Sequence, residues 1–274
     1  MIPKLFAFDL DGTLLDSGKR MRQANIDAIR EMRARGAVIA LSSGRMGAGV
    51  RRYARELGVD PALVILNGAE VYTGSAEGAE RIRYAPLNPA HARFLTDYGI
   101  DKPVAVNFYY EDKLYTVKTG VNSEWMSLYH QETGINYNCI GSFAEMDGVP
   151  PSKIIFVGAP SYIDEQEKAF RERWDDKTVY VCRSWDHYLE FMNPQANKGL
   201  GLAALCRALG IDPADAAAYG DAENDIPMLQ AAGHGTAMRN STEKVRAAAK
   251  RVTEQTNEED WAATEWKAYL SRSL

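Results

Sequence analysis

Both ends of the chain alternate short apolar runs with helix-period segments while the middle does not, and this contrast limits the fold more than any other feature of the 274 residues. Near the N-terminus, residues 4–8, 38–41 and 63–66 read as strands, with helices over 21–35 and near 50–57 between them. Gly36 and Gly58 stand just past those helices, where a C-terminal stop belongs. The last third repeats the rhythm, with a helix over 199–209 stopped at Gly210, a strand at 216–219 and helices at 228–232 and 242–250. Strands separated by helices assemble into a parallel sheet with helices on both faces. The expected fold class is therefore α/β, with a doubly wound, Rossmann-like parallel sheet built from both ends of the chain.

In the middle, residues 104–110 and 114–118 read as hairpin-like strands and 123–132 as a helix, and a helix over 163–174 joins strands at 154–157 and 178–182. This describes a second, mixed α/β domain inserted into the first: a core of residues 1–84 plus 191–274 and an insert of 85–190. Of the 27 Phe, Trp and Tyr residues, 17 lie in the insert, so that small domain has ample aromatic surface for a core of its own. Tyr109, Tyr110, Trp125 and Trp185 are the candidates among them to face a ligand instead.

Charge and cysteine content narrow the partners. With 32 Lys and Arg against 37 Asp and Glu, the chain has no electrostatic footprint for a nucleic-acid backbone, and no nucleic acid is expected to bind. Residues 1–8 are too short for a secretory signal before Asp9 and Asp11 interrupt them, and no later stretch approaches membrane-spanning length. Cys139, Cys182 and Cys206 lack CxxC pairing and fit a reducing compartment. A cytoplasmic protein without a membrane partner is expected, as a monomer or homodimer.

The chemistry gathers at strand ends, where ligands bind in open parallel sheets. The first strand runs into Asp9-Leu10-Asp11-Gly12-Thr13, and in extended chain Asp9 and Asp11 project to the same side. Two carboxylates that close share a proton or hold a cation. A hard cation accepting carboxylates together with substrate phosphate oxygens is Mg2+. After the second strand, Ser42-Ser43-Gly44-Arg45 offers a hydroxyl and loop amides for phosphate oxygens, although such a sequence standing alone is a capped turn. Gly220-Asp221-Ala222-Glu223-Asn224-Asp225 follows the strand at 216–219, with Pro227 in the first helical turn. Asp225 there complements a helix dipole, which leaves Asp221 without a structural reason. Lys198, just before the helix at 199, is a point charge able to pair with Asp9 and a phosphoryl group.

In that order and at those strand ends, DLDGT, SSGR, NKG and GDAEND resemble the haloacid dehalogenase superfamily, and more narrowly its Cof-type, subfamily IIB sugar-phosphatase branch, in which an α/β cap is inserted between the second and third motifs. The resemblance covers essentially the whole chain, including Asn67-Gly68-Ala69 before the insert. It implies a phosphatase of small phosphorylated metabolites in which Asp9 attacks phosphorus and Asp11 acts as acid and then base. Ser43, Gly44, Arg45, Lys198 and Asn224 bind the phosphoryl group or substrate. Asp9, the backbone carbonyl of Asp11 and Asp221 ligate Mg2+, with Asp225 acting through water. Because Asp11 is present, oxygen–phosphorus cleavage is favoured over carbon–halogen or carbon–phosphorus cleavage, and the insert is expected to close over the site as a specificity cap. Asn257-Glu258-Glu259-Asp260 also fits the branch, but Trp261 stands where Gly usually follows and is expected to alter packing near the hinge.

Three other readings share these motifs: a phosphomutase, a phosphatase of a specialised substrate such as pyridoxal phosphate or an amino-sugar phosphate, and a non-catalytic sensor of a phosphorylated metabolite. Gly44, Gly47 and Gly49 have the wrong spacing for a dinucleotide loop. The four histidines have no metal-ligand spacing, although His187 is a candidate substrate contact.

Overall fold

A computed structural model describes residues 2–271. By its contacts the chain divides into two compact units, Met1–Tyr84 with Asn197–Leu274 and Ala85–Ala196. The second boundary lies beyond the expected residue 190, because the run Tyr188–Met192 is a strand paired on both sides within the second unit's sheet.

The first part of the first unit comprises β1 (Leu5–Asp9), α1 (Gln23–Ala34), β2 (Val38–Ser42), α2 (Gly47–Leu57), β3 (Ala62–Ile65), β4 (Glu70–Tyr72) and β5 (Arg81–Tyr84). The second unit contains α3 (Pro89–Gly99), β6 (Val104–Tyr110), β7 (Lys113–Val117), α4 (Ser123–Thr133), β8 (Tyr137–Ile140), β9 (Lys153–Gly158), α5 (Pro160–Arg173), β10 (Tyr180–Trp185) and β11 (Tyr188–Met192). The chain then returns to the first unit with α6 (Lys198–Leu209), β12 (Ala216–Gly220), α7 (Ile226–Ala231), β13 (His234–Ala237), α8 (Glu243–Ala248), β14 (Arg251–Val252) and α9 (Trp261–Ser271).

The first sheet has the order β14-β13-β12-β1-β2-β3-β4-β5. Its strands from β14 to β3 are parallel, and β4 and β5 extend it antiparallel. From β1 the chain builds outward through β2 and β3 on one side and later through β12, β13 and β14 on the other. That reversal is a topological switch point, and the crevice it leaves opens beyond the carboxyl ends of β1 and β12. Strand alternation then sorts the side chains of β1. Leu5 and Ala7 enter an apolar layer with Leu202, Leu205, Met228 and Leu229 from α6 and α7. Phe6 and Phe8 point the other way, into a ring cluster with Trp261, Trp266 and Tyr269 of α9. Each of these fully buried Phe side chains contributes about 1.5–3 kcal/mol by leaving water. No helix among the described residues is long and apolar enough to cross a membrane.

The second sheet has the order β10-β11-β9-β6-β7-β8 and is antiparallel except for the β7–β8 pair. Glu111 and Asp112, both at positive φ, form the tight two-residue turn between β6 and β7, whose hand matches the twist of the hairpin. Most of the aromatic surplus builds the core: Phe108, Phe156, Phe170, Trp174 and Phe191 pack together on one face. Tyr109 is buried on the opposite face with its hydroxyl against that of Tyr129 from α4. Tyr110 and Trp125 are half-buried, and Trp185 is exposed. His187 Nε2 lies 2.9 Å from Glu132.

Candidate active site

Because β1, β2 and β12 run parallel, their last residues and the loops after them meet at one edge of the sheet. Asp9 is the final residue of β1 and shares the face of Leu5 and Ala7, which is the side covered by α6. The first residue of α6 is Lys198, behind an Asn197 N-cap whose side chain accepts from the amide of Leu200. Strand parity and helix placement thus bring Lys198 Nζ within 2.5 Å of both Asp9 Oδ1 and Asp225 Oδ1, in a pocket where the lysine is 1% exposed. The other oxygen of Asp225 accepts from the amides of Asp221 and Ala222, both at 3.0 Å, so this buried carboxylate holds the loop in shape. Asp221 is oriented by the hydroxyl of Thr13 at 2.9 Å. Gly12 permits the approach: at φ 78°, a side chain there would place Cβ 2.3 Å from the Asp221 carboxylate.

The strand ends at Asp9 and the chain turns, with the amides of Thr13 and Leu14 donating back to the carbonyls of Leu10 and Asp9. Asp11 is swung to the rim, where Arg45 Nε and Nη2 reach its two oxygens at 2.6 and 2.7 Å and Lys19 Nζ adds a third contact at 2.7 Å. Asp9, Asp221 and Asp225 form an acidic cluster, with one oxygen from each lying within 4.8 Å of the others.

Ser43 is buried just past β2, and its hydroxyl accepts from the amide of Arg45 at 3.2 Å. Gly44 stands beside Asn67, whose Oδ1 accepts from Asn224 Nδ2 at 2.9 Å. Ser43, Gly44, Asn224, Lys198, Asp9, Asp221 and Asp225 are therefore gathered at one edge. Arg45 reaches that edge too, engaged with Asp11.

Burial is the largest influence raising the pKa of Asp9, and repulsion from Asp225 adds to it, together outweighing Lys198. The same two causes push Asp221 up to about 6. Burial works against the charge of Lys198, but Asp225 and Asp9 more than offset it and hold the ammonium firmly protonated. Burial likewise disfavours ionised Asp11, and here the bonds from Arg45 and Lys19 win, bringing it down to about 2. Three carboxylates against one ammonium leave two negative charges in excess, which a divalent cation with oxygen ligands balances. The donor set fits such an ion.

This has a testable consequence for protein treated with chelator. A carboxyl raised in the folded state contributes stability that is complete below its unfolded pKa, about 3.9, and is lost as pH rises through the folded value. For Asp221 that window closes at about pH 6. Asp11 has the opposite sign, but its window lies lower, toward pH 2. The melting temperature in chelator should fall between about pH 4 and 6, and a divalent cation should remove the fall; a flat profile in chelator would contradict this electrostatic account.

Some of the supporting residues were not legible locally. Lys19 lies in a loop at φ 58°, with nothing in its sequence neighbourhood to mark it. Trp261 is buried against Phe8 and Tyr219, and its Nε1 donates to the Thr13 carbonyl at 2.9 Å. Asn240 donates to the carbonyl of Gly12 at 2.8 Å and Asn257 to that of Leu15 at 2.9 Å. The C-terminal segment therefore braces the loop after β1, and the NEED run was the one sequence signal of it.

Residues 6–262 match the sequence profile of the haloacid dehalogenase-like hydrolases. Phosphatase YwpJ of Bacillus subtilis is 29% identical over 97% of this chain and 100% of its own length. The HMP-PP phosphatase of Serratia proteamaculans is 26% identical over 89% of this chain and 86% of its own. The crystal structure of TM0651 from Thermotoga maritima superposes with a TM-score of 0.87 at 27% identity, covering 98% of this chain and 97% of that one. The chain belongs to the haloacid dehalogenase-like hydrolases and is an enzyme of that family.

Proposed function

We propose that this hydrolase is a magnesium-dependent phosphatase of small phosphorylated metabolites, sugar phosphates foremost, working through an aspartyl phosphate on Asp9. The observation that carries the reading is the state of Asp9: one oxygen is fixed by Lys198, and the other accepts no hydrogen bond from the described residues. A carboxylate so held is oriented and partly desolvated, as a nucleophile must be. Relatives named as phosphatases over nearly the full chain support the same chemistry.

In the first half-reaction Asp9 attacks phosphorus, the ester oxygen–phosphorus bond breaks, and the leaving alcohol takes a proton from Asp11. In the second, water attacks the aspartyl phosphate while Asp11 takes its proton, releasing phosphate and restoring both carboxyl groups. Ser43, Lys198 and Asn224 bind the phosphoryl oxygens. Asp9, Asp221 and the carbonyl of Asp11, with Asp225 beside them, would hold Mg2+, which would neutralise charge on the transferring group. Arg45 and Lys19 keep Asp11 ionised, so proton donation requires these cations to exchange the carboxylate for the incoming phosphoryl dianion. The second unit selects the substrate.

The test is release of inorganic phosphate from a panel of hexose and pentose phosphates, pyridoxal phosphate and nucleotides, with Mg2+ or with chelator. Release from sugar phosphates that chelator stops is the expected result. Transfer without release points to a mutase, and release undiminished by chelator rules out the metal's role.

A further inference from the structure

Between β3 and β4 the backbone runs through three consecutive left-handed residues, Leu66, Asn67 and Gly68, at φ 51°, 54° and 82°. Glycine adopts such values freely and asparagine tolerates them, but leucine does so rarely. Strain of this kind persists where the surroundings hold it in place, and the surroundings here are the loops of the proposed phosphate site. The amide of Leu66 donates to the Arg45 carbonyl at 3.0 Å and that of Asn67 to the Ser43 carbonyl at 3.1 Å. The Asn67 side chain lies over Gly44, where a Cβ would come within 3.1 Å of its Oδ1, and that same oxygen accepts from Asn224 at 2.9 Å. Gly68 packs so closely on the residue before Lys198 that a Cβ would meet the Asn197 carbonyl at 2.3 Å.

We infer that Asn67 is a positioning residue, which locks the loop carrying Ser43 to the loop carrying Asn224 and so sets the geometry in which both meet a phosphoryl group. The inference rests on the phosphatase reading above. The two loops follow β2 and β12, strands separated in the sheet by β1. Asn67 spans them, its backbone amide on the Ser43 carbonyl and its side chain on Asn224. Asparagine suits the position because a larger residue would be strained at this φ and glycine would offer nothing for Asn224 to bond.

Asn67→Gly keeps a backbone that accepts φ 54° and deletes the link. Loss of one well-placed hydrogen bond should raise the KM for substrate and the dissociation constant for inorganic phosphate by about tenfold, with kcat affected less. Asn224→Ala breaks the link from the other side and also removes Asn224's own phosphoryl contact, so it should cost more than Asn67→Gly, and the two effects should be less than additive in the double variant. Asn67→Ala, read in the same two assays, serves if Asn67→Gly folds poorly. Wild-type phosphate affinity in Asn67→Gly, or fully additive effects in the double variant, would overturn the inference while leaving the phosphatase reading intact. A wild-type protein that neither hydrolyses the panel nor binds inorganic phosphate would overturn both.

Discussion

Replacing Asp9 by Asn should lower kcat by about 10⁴- to 10⁶-fold, the range seen when a covalent nucleophile is removed and only binding and electrostatics remain. An amide oxygen keeps the size of the side chain and still accepts from Lys198, but it is too weak a nucleophile to attack phosphorus. Acid-quenched protein incubated with labelled substrate should carry covalent phosphate in the wild type and none in the variant. The same substitution should act oppositely on stability. Ionised Asp9 is disfavoured in the metal-free fold by burial and by Asp225, so removing its charge relieves repulsion, and the melting temperature in chelator at neutral pH should rise. A change of 1 kcal/mol corresponds to about 2–4 °C in a protein of comparable size. A variant keeping more than about one hundredth of wild-type turnover would rule out Asp9 as the nucleophile. One that melts lower in chelator would show that the Lys198 bond outweighs the repulsion.

What the amino-acid order made legible depended on the range of the interaction. The β1 strand could be read from a buried apolar run, and with the βα alternation it located the sheet edge where Asp9, Ser43 and Asp221 now stand. Pattern alone also put Lys198 at the start of a helix and Pro227 in the first turn of α7. It failed where the backbone left regular geometry. The same-side reading of Asp9 and Asp11 took the chain as extended across both, but the strand stops at Asp9 and the chain turns there. It failed again at β4 and β5, whose antiparallel pairing breaks the βα rhythm, and at β13 and β14, which are too short to show a period. The partners of Asp11 and Thr13 are set by tertiary approach, in the case of Trp261 across 248 positions of sequence, and no local pattern records such a contact. Asn67 was visible as part of a motif, but its role depends on a φ value that the sequence does not display.

Lys198→Met should strongly destabilise the first unit. The methionine is close in length and apolar, so it fills the same space, but it leaves Asp9 and Asp225 buried and facing each other with no cation between them. Breaking a buried pair by deleting one partner typically costs about 3–5 kcal/mol, because the surviving charge has lost both water and its counter-ion. At about 2–4 °C per kcal/mol this corresponds to a fall in melting temperature of about 6–20 °C in chelator. The deficit should depend on pH in a direction that separates electrostatics from packing. Protonation relieves the repulsion, so the loss should shrink toward pH 5 and grow toward pH 8, whereas a packing defect would be indifferent to pH. Mg2+ should restore part of the stability, since a bound divalent ion replaces some of the lost positive charge, yet it should not restore turnover, because the ammonium is also needed on the transferring phosphoryl group. Thermal melts of wild type and variant across that pH range, with Mg2+ and with chelator, decide the matter. A variant that matches the wild type at pH 8 in chelator would mean that the two carboxylates are not held apart by Lys198, and the charge balance on which the metal assignment rests would have to be redrawn.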